Sequence, residues 1–232
     1  MYSKYLKRIL DVISSIMLLF ILAPLMLIIS ILVKIKLGPP VLFKQKRPGK
    51  KNKDGIERIF MLYKFRTMTD KKDDNGNLLP DNMRLTKFGN FLRESSLDEL
   101  PELINILKGD MSIIGPRPQL VRDMVFMTEK QRERHNVTPG LTGLAQINGR
   151  NEISWEDKFK YDLVYIENIS FLNDLKILVK TISCVIRKEN INTTGMATAE
   201  DLGDYLLRTK SVDKKIYDEK QIIAKKIMEQ VR

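Results

Sequence analysis

The chain has 232 residues, of which 43% are hydrophobic and 30% are charged. This composition supports a packed core and excludes a mainly disordered chain, a collagen-like repeat and a polytopic membrane bundle. With one cysteine and one histidine, a disulfide framework, a zinc finger and a site of paired histidines are excluded. The net charge is +11, and most of the excess lies in residues 1–60, where a basic surface suits nucleic-acid phosphates or anionic lipid headgroups.

The uncharged segment 12–33 decides between these two partners. Its 22 residues lie between Asp11 and Lys34. As a straight helix they would reach roughly 33 Å, which matches the core of a bilayer. A long uncharged apolar segment is typical of membrane proteins and not of nucleic-acid-binding domains. The pattern therefore favours a membrane and excludes nucleic acid as a partner. Basic residues follow the run in place of a small-residue cleavage site, which argues against a removed signal peptide.

Pro24 divides this apolar segment near its middle. A proline inside a helix removes one backbone hydrogen bond and kinks the axis, and each half alone is too short to cross a bilayer. Both flanks are rich in Lys and Arg, which favour the cytoplasmic side of a membrane. The sequence therefore predicts a re-entrant helix that is broken at Pro24 and enters one leaflet only. A kinked helix that crosses the membrane remains the alternative, because spanning helices tolerate proline.

The rest of the chain predicts a mostly helical α+β fold with a short β-hairpin. The hairpin strands are predicted at 41–43 and 59–65, with a basic loop over 48–55 between them. Residues 138–151 are rich in glycine, lack a helical period and are predicted to form a loop. Helices are predicted over 86–94, 98–108, 124–134, 155–166, 171–186 and 213–231.

Asp98 and Glu99 form an adjacent acidic pair where the helix over 98–108 is expected to begin. Free N–H groups at a helix N-terminus favour a phosphate, and a carboxylate held there beside a divalent cation can attack a phosphoryl group. A structural role explains the same residues, because Ser96 and Glu99 fit a capping box and Asp98 fits an N-cap. Local sequence alone favours the cap, since acidic residues are common in first turns.

Several basic residues on predicted turns or short elements are candidate phosphate ligands, because arginine forks match phosphate oxygens. They are Lys64, Arg66, Arg93, Arg117 and Arg150. Taken singly, each is better explained as a solvated surface charge. Arg117 is the exception, since the prolines on both sides of it fix its backbone.

Three further features admit a functional or a structural explanation. The glycines of TPGLTG (138–143) either present backbone N–H groups to an anion or supply positive φ in a turn. His135 is expected at the surface, and Cys184 is expected in the core because it lies in an apolar helix.

Several motifs follow one another in a fixed order from about residue 1 to residue 200. They are FKQKRPG (43–49), YKFRTM (63–68), SLDELPEL (96–103), GPRP (115–118) and PGLTGLAQINGRN (139–151). Together with the basic start and the proline-broken helix, this set resembles the monotopic phosphoglycosyl transferases. These are the bacterial sugar transferases that begin glycan assembly on undecaprenyl phosphate.

The resemblance implies that the chain moves a sugar-1-phosphate from a UDP-sugar, expected to be N-acetylated, to undecaprenyl phosphate. Asp98 would attack the β-phosphate, release UMP and carry the phosphosugar covalently until the lipid phosphate displaces it. Asp98 and Glu99 would hold Mg²⁺, and the five basic residues named above would bind the phosphates and nucleotide. The rival interpretation is a membrane-anchored scaffold whose acidic pair is only a helix cap.

The resemblance also implies a place in the cell, the cytoplasmic face of the inner membrane. There the chain would begin exopolysaccharide, capsule or lipopolysaccharide assembly, with downstream glycosyltransferases as candidate partners. We expect a re-entrant membrane helix over 1–36, a catalytic domain over 37–204 and an amphipathic tail over 205–232, which is a candidate contact between two copies. Ala23 stands where many small members have serine, so this residue supplies no hydroxyl to the helix break, while Pro24 is retained.

Overall fold

The computed structural model describes residues 2–149, 153–187 and 200–230, so Arg150 lies outside the described residues. It confirms the mostly helical α+β fold with a short antiparallel hairpin. The elements in chain order are α1 Lys7–Leu37, β1 Leu42–Lys51, β2 Glu57–Phe65, α2 Asp81–Arg84, α3 Lys87–Glu94, α4 Glu102–Lys108, β3 Ser112–Ile114, α5 Val121–Met124, α6 Glu129–Arg132, β4 Gly140–Thr142, α7 Leu144–Ile147, α8 Trp155–Glu167, α9 Phe171–Arg187, α10 Leu202–Arg208 and α11 Lys214–Gln230. A π-helical turn covers Tyr2–Leu6, and 3₁₀ turns cover Leu97–Glu99 and Glu133–Asn136.

Helix α1 is long and apolar enough to cross a membrane, and most of its apolar surface is exposed. One face packs on the rest of the chain at helical spacing through Asp11, Ser15, Ile29 and Val33, which are buried. The helical backbone continues through Pro24 and does not divide there into two helices. Entry into one leaflet therefore stays a prediction.

Strands β1 and β2 pair antiparallel along their length, with an irregularity after Pro48. Strand β1 runs well beyond the predicted 41–43, so the expected loop over 48–55 is shorter. Gly49 favours this, because a Cβ there would stand 3.0 Å from the Arg58 carbonyl oxygen and would crowd the facing strand.

Helix α4 packs against the hairpin and forms a core with it. The Asn105 side chain accepts the Tyr63 N–H at 3.1 Å and donates to the Met61 carbonyl at 2.7 Å, so α4 is hydrogen-bonded to β2. The buried residues of this core are Phe60, Leu62, Leu103, Ile106 and Met111. This packing holds the end of β2 against the turn that precedes α4.

The short strands β3 and β4 pair in parallel, so the prediction of a loop over 138–151 is wrong. Each strand has three residues, too few to show a period. A Cβ on Gly140 would stand 2.0 Å from the Gly115 nitrogen, and one on Gly143 would stand 2.1 Å from the Gly115 carbonyl oxygen. Neither Gly140 nor Gly143 has the positive φ that was one explanation for them. They are needed because the two backbones approach closely.

The helix predicted over 124–134 is divided into α5, α6 and a 3₁₀ turn. Thr128 starts a new helix, because its hydroxyl accepts the Gln131 N–H while the Gln131 side chain accepts the Thr128 N–H. The expectation of a surface His135 is also wrong: His135 is buried, and its Nδ1 lies 3.1 Å from Glu57 Oε1. Cys184 is buried, as predicted.

The helices predicted over 86–94, 155–166, 171–186 and 213–231 are present as α3, α8, α9 and α11, with similar bounds. The tail helix α11 packs on α5 of its own chain, where Ala224 is 1% exposed. Of the apolar face predicted for this helix, Ile227 packs in this core while Ile216 and Ile223 remain exposed.

Candidate active site

The acidic pair lies on the 3₁₀ turn between α3 and α4, and this turn is not a helix cap. The helix predicted from residue 98 begins at Glu102, and its N-cap position is Pro101, so Asp98 does not cap it. Ser96 has a left-handed backbone with φ of 55°, and within the described chain its side chain makes no capping hydrogen bond. The capping-box interpretation of Ser96 and Glu99 is therefore wrong.

Glu99 is held between two cations from distant parts of the chain. Its Oε1 accepts hydrogen bonds from Lys64 Nζ and from Arg117 Nη2, both at 2.5 Å. Burial alone would raise the pKa of Glu99, but the charges and hydrogen bonds of Arg117 and Lys64 outweigh it and hold the pKa well below its usual range. Glu99 is therefore ionised, and it fixes the positions of both cations.

Asp98 has a different environment, although it is the next residue. Its exposed fraction is 8%. Burial and the neighbouring charge of Glu99 raise its pKa to about 6, against the opposing charges of Lys64, Arg93 and Arg117. Asp98 is thus a carboxylate in a poorly solvated site that is surrounded by cations. At neutral pH it is ionised and weakly solvated, which is a favourable state for a nucleophile.

Arg93 and Glu102 complete the charged surroundings of this turn. Arg93 donates from Nε to the Thr67 hydroxyl at 3.0 Å. Burial lowers its pKa, and the charges of Asp98 and Asp81 oppose this. Glu102 is 2% exposed and lies 3.2 Å from Lys64 Nζ. Burial raises the pKa of Glu102 to about 7 against the opposing charge of Lys64.

The turn that carries Arg117 is held by two arginines, the buried Arg134 and the half-buried Arg47. Arg134 donates from Nη2 to the Arg117 carbonyl at 2.6 Å, and Arg47 donates from Nη1 to the Pro118 carbonyl at 3.1 Å. Arg134 is itself paired with Asp162 at 2.7 Å. Burial and the nearby charge of Arg117 lower the pKa of Arg47 to about 10. These contacts hold the backbone of the turn from which the Arg117 side chain reaches Glu99.

The predicted basic ligands divide into two groups. Lys64, Arg93 and Arg117 all act electrostatically on Asp98, so the structure brings these three together. Arg66 instead donates to the carbonyl oxygens of Leu37, Gly38 and Pro39 at the end of α1, and to Asp70. Its guanidinium is occupied in holding α1 on the hairpin.

Four residues of this site were not singled out from the sequence. Arg47 and Glu102 lie inside motifs that were recognised, FKQKRPG and SLDELPEL, but nothing local marks them as part of the site. Arg134 and Asp162 are 28 residues apart, so only the folded chain shows that they form a pair.

The donors at the turn fit a hard divalent cation in part. Among residues 2–149, 153–187 and 200–230, no cluster of three or more His, Cys, Asp or Glu side chains is placed to enclose a metal. Mg²⁺ commonly binds through one or two carboxylates and completes its shell with substrate phosphates and water. Asp98 and Glu99 are such a carboxylate pair, and the poorly solvated charge on Asp98 is one that a cation would neutralise. The donor set therefore fits Mg²⁺ bound together with a phosphate substrate.

The chain is similar in sequence to several known proteins. EpsL of Bacillus subtilis, named an uncharacterized sugar transferase, is 52% identical over 195 residues, which cover 84% of this chain and 94% of EpsL. The undecaprenyl-phosphate galactose phosphotransferase of Salmonella typhimurium is 34% identical over 81% of this chain and 42% of its own length. The UDP-glucose:undecaprenyl-phosphate glucose-1-phosphate transferase of Klebsiella pneumoniae is 40% identical over 76% of this chain and 39% of its own length.

The chain thus spans about two fifths of the Salmonella and Klebsiella relatives, and nearly all of EpsL. The model of the family described as bacterial sugar transferase matches residues 2–188, which include the hairpin, the acidic turn and the Arg117 turn. The chain belongs to the bacterial sugar transferase family.

Proposed function

We propose that this protein transfers a sugar-1-phosphate from a UDP-sugar to undecaprenyl phosphate at a membrane, as an early step of exopolysaccharide or capsule assembly. The names of the Salmonella and Klebsiella relatives support this activity. The observation that carries the proposal is the buried Asp98 beside an ionised Glu99 that holds Lys64 and Arg117.

In the first step, an oxygen of the Asp98 carboxylate forms a bond to the β-phosphorus of the UDP-sugar. The bond from that phosphorus to the oxygen shared with the α-phosphate breaks, and UMP leaves with the electron pair. In the second step, a phosphate oxygen of undecaprenyl phosphate attacks the same phosphorus and releases Asp98 as a carboxylate. A covalent intermediate lets a soluble donor and a lipid acceptor use one site in turn.

The other residues of the site act on charge and position. Arg117 and Lys64 face the charge that develops on the transferring phosphoryl group, and Glu99 holds both in place before substrate binds. Arg134 and Arg47 keep the Arg117 turn rigid. Asp98 and Glu99 would hold Mg²⁺, which when bound offsets phosphate charge and favours departure of UMP.

The membrane side of the proposal is supported by two helices. Helix α1 is apolar and exposed, and α9 exposes Leu172 and Val179 on its outward face. The two helices are joined where Lys7 pairs with Asp174 at 2.5 Å. The chain and its family thus indicate a membrane-associated protein, and we place it on the cytoplasmic leaflet of the inner membrane, with downstream glycosyltransferases using its product.

Cysteine labelling tests this placement. A cysteine at Ser3 or at Lys50, introduced after Cys184 is replaced, should resist an impermeant reagent outside the cell and react after the membrane is opened. Labelling of the Ser3 site from outside would contradict re-entry at Pro24 and favour a helix that crosses the bilayer.

The activity is tested by incubating membrane fractions with undecaprenyl phosphate, Mg²⁺ and a panel of UDP-sugars. Relatives are named for glucose, galactose and N-acetylgalactosamine, so the panel includes these and other N-acetylated sugars, which we expect to react best. Release of UMP supports the proposal, and release of UDP would indicate an ordinary glycosyl transferase. Release of neither nucleotide by folded protein would favour the scaffold interpretation.

A further inference from the structure

Residues 200–230 lie outside the range 2–188 that the family model matches, yet they pack on the segment that follows the turn carrying Arg117. Ala224 of α11 is 1% exposed and packs with Val121 and Met124 of α5. Leu202 of α10 is 3% exposed and belongs to the core of Phe126, Met127, Trp155 and Phe159. Helix α5 starts three residues after Pro118, so both tail helices rest on the segment that leaves the Arg117 turn.

Polar contacts fix the start of the tail to the same segment. Asp123 is 2% exposed, and its Oδ1 accepts the Leu202 N–H at 2.9 Å while its Oδ2 accepts the Leu120 N–H at 3.0 Å. One buried carboxylate therefore joins the first residue of α10 to the residue before α5. The tail carboxylate of Asp201 adds an ion pair with Arg122 at 2.6 Å.

The tail also acts on Arg47, which supports the Arg117 turn from the hairpin side. Burial and the charge of Arg117 disfavour the charged form of Arg47, and the carboxylates of Asp123 and Asp201 are among those that oppose this. Arg47 in turn donates to the Pro118 carbonyl. A second attachment to β1 is made where Lys46 Nζ donates to the Met228 carbonyl at 2.5 Å, near the end of α11.

We propose that α10 and α11 are a positioning element of the active site: by holding α5, Asp123 and Arg47, they set where Arg117 stands relative to the acidic turn. This inference rests on the proposed function, because Arg117 matters only if a phosphoryl group is transferred beside it. It assigns to residues beyond the family match a role in the rate of the reaction. None of them touches the reacting atoms.

The first test compares variants of α10 and α11 made in wild-type protein with the same variants made in Arg117→Lys protein. Ala224→Leu forces α11 away from α5, and Leu202→Ala loosens α10 from its core. We expect each variant to lower kcat/KM for the UDP-sugar about tenfold in otherwise wild-type protein. In an Arg117→Lys background we expect the same changes to lower it less than about twofold, since the group that they position is already impaired.

The matched control is Ile223→Ala. Ile223 is a similar apolar side chain on the same helix but is 49% exposed, so its loss should leave kcat/KM unchanged. Equal losses from the tail variants in both backgrounds would overturn the inference and leave the tail a support for overall stability. If Ala224→Leu does not fold, Leu202→Ala and Asp201→Asn decide, because neither inserts new volume.

The second test needs no activity and separates this inference from the proposed function. Hydrogen exchange should be faster by at least about tenfold in peptides covering 112–120 of Leu202→Ala, while the distant hairpin loop 52–56 is unchanged. Unchanged exchange at 112–120 would overturn the inference even if UMP is released. Faster exchange in a protein that releases no UMP would uphold the coupling of the tail to the turn and refute the proposed reaction.

Discussion

Strand β2 carries a buried charge cluster at each of its ends, and the two clusters differ in how well their carboxylates are satisfied. At the start of the strand, Glu57 accepts two hydrogen bonds from Arg132 and lies 3.1 Å from the ring of His135. Burial alone would raise the pKa of Glu57, but the hydrogen bonds of His135 and Arg132 outweigh it and lower the pKa to about 2.

At the other end of the strand, Lys64 is shared among carboxylates that outnumber it. It contacts Glu99 and Glu102 and acts on Asp98, whose pKa is raised to about 6. A carboxylate that accepts several hydrogen bonds from cations stabilises the fold, whereas a buried one whose desolvation is only partly offset is costly to keep and is available for chemistry. The contrast predicts that substitutions at the two ends of β2 act on different properties.

The largest expected effect is the loss of turnover in Asp98→Asn. An amide cannot form the acyl phosphate, so UMP release should fall by at least about 10³-fold. Given UDP-sugar and Mg²⁺ without lipid acceptor, wild-type protein should gain one phosphosugar on the peptide containing Asp98, as mass spectrometry would show. Asp218→Asn, on the exposed side of α11, is the control and should stay active.

The stability of Asp98→Asn tests whether Asp98, unlike Glu57, contributes little to the fold at neutral pH. The folded pKa of Asp98 lies above its unfolded value, so its contribution to stability is present below the unfolded pKa and is lost as the pH rises through about 6. At pH 7.5 Asp98→Asn should therefore unfold at a temperature no lower than the wild type. A large fall in melting temperature would show that Asp98 supports the fold.

The next largest effect is expected at Arg117. Its guanidinium donates to Glu99 and its backbone carbonyl accepts from Arg134, so the fork is directed from a supported turn, and Arg117→Lys should lose paired contacts to the phosphates. We expect a fall of about 10²–10³ in kcat with little change in melting temperature. The control is Arg58→Lys. The side chain of Arg58 is 69% exposed, so this change should leave kcat and the melting temperature unchanged. Turnover near the wild-type rate in Arg117→Lys would remove this residue from the site.

At the other end of β2 the expected effect is on stability. Glu57→Gln leaves Arg132 without its buried partner and should cost about 3 kcal/mol, which lowers the melting temperature by roughly 6–12 °C. Activity per folded molecule should be retained. The matched control is Glu129→Gln, because Glu129 also approaches Arg132 but is 89% exposed. The stability that Glu57 contributes is present above its unfolded pKa and is lost as the pH falls through about 2.

The sequence predicted the acidic pair but not its backbone, for a physical reason. Ser96 and Glu99 have the spacing of a capping box, and only tertiary packing decides against it. Leu97 and Leu100 pack in the core around Phe65 and Leu92, and this packing accompanies the left-handed conformation at Ser96. Local hydrogen-bonding preference is weak enough for buried apolar contacts to override it.

Long-range partners limit what could be predicted of the basic residues. Lys64 and Arg66 lie two residues apart in the same motif, YKFRTM, yet Arg66 is directed to the carbonyl oxygens at the end of α1. The position of those carbonyls depends on how α1 packs along the domain, which no local pattern contains. Long helices were predicted well because their period repeats over several turns, whereas β3, β4 and α7 are too short to show one.

The smallest expected effect is a dependence of the rate on pH. The fall of the pH–rate profile at acid pH, its acidic limb, should report the protonation of one carboxyl group. Because the pKa of Asp98 is about 6, kcat/KM for the UDP-sugar should fall about tenfold for each pH unit below that value as the nucleophile becomes protonated. Initial rates of UMP release between pH 5 and 8 would measure this limb, with circular dichroism to show that the fold persists.

Glu102 has a pKa of about 7, so Glu102→Gln is the variant that distinguishes the two carboxyl groups. If the limb remains in that variant, it belongs to Asp98. If the limb disappears, the titrating group is Glu102. The carboxylate to compare with Glu57 at the other end of β2 is then Glu102, paired with Lys64, and not Asp98.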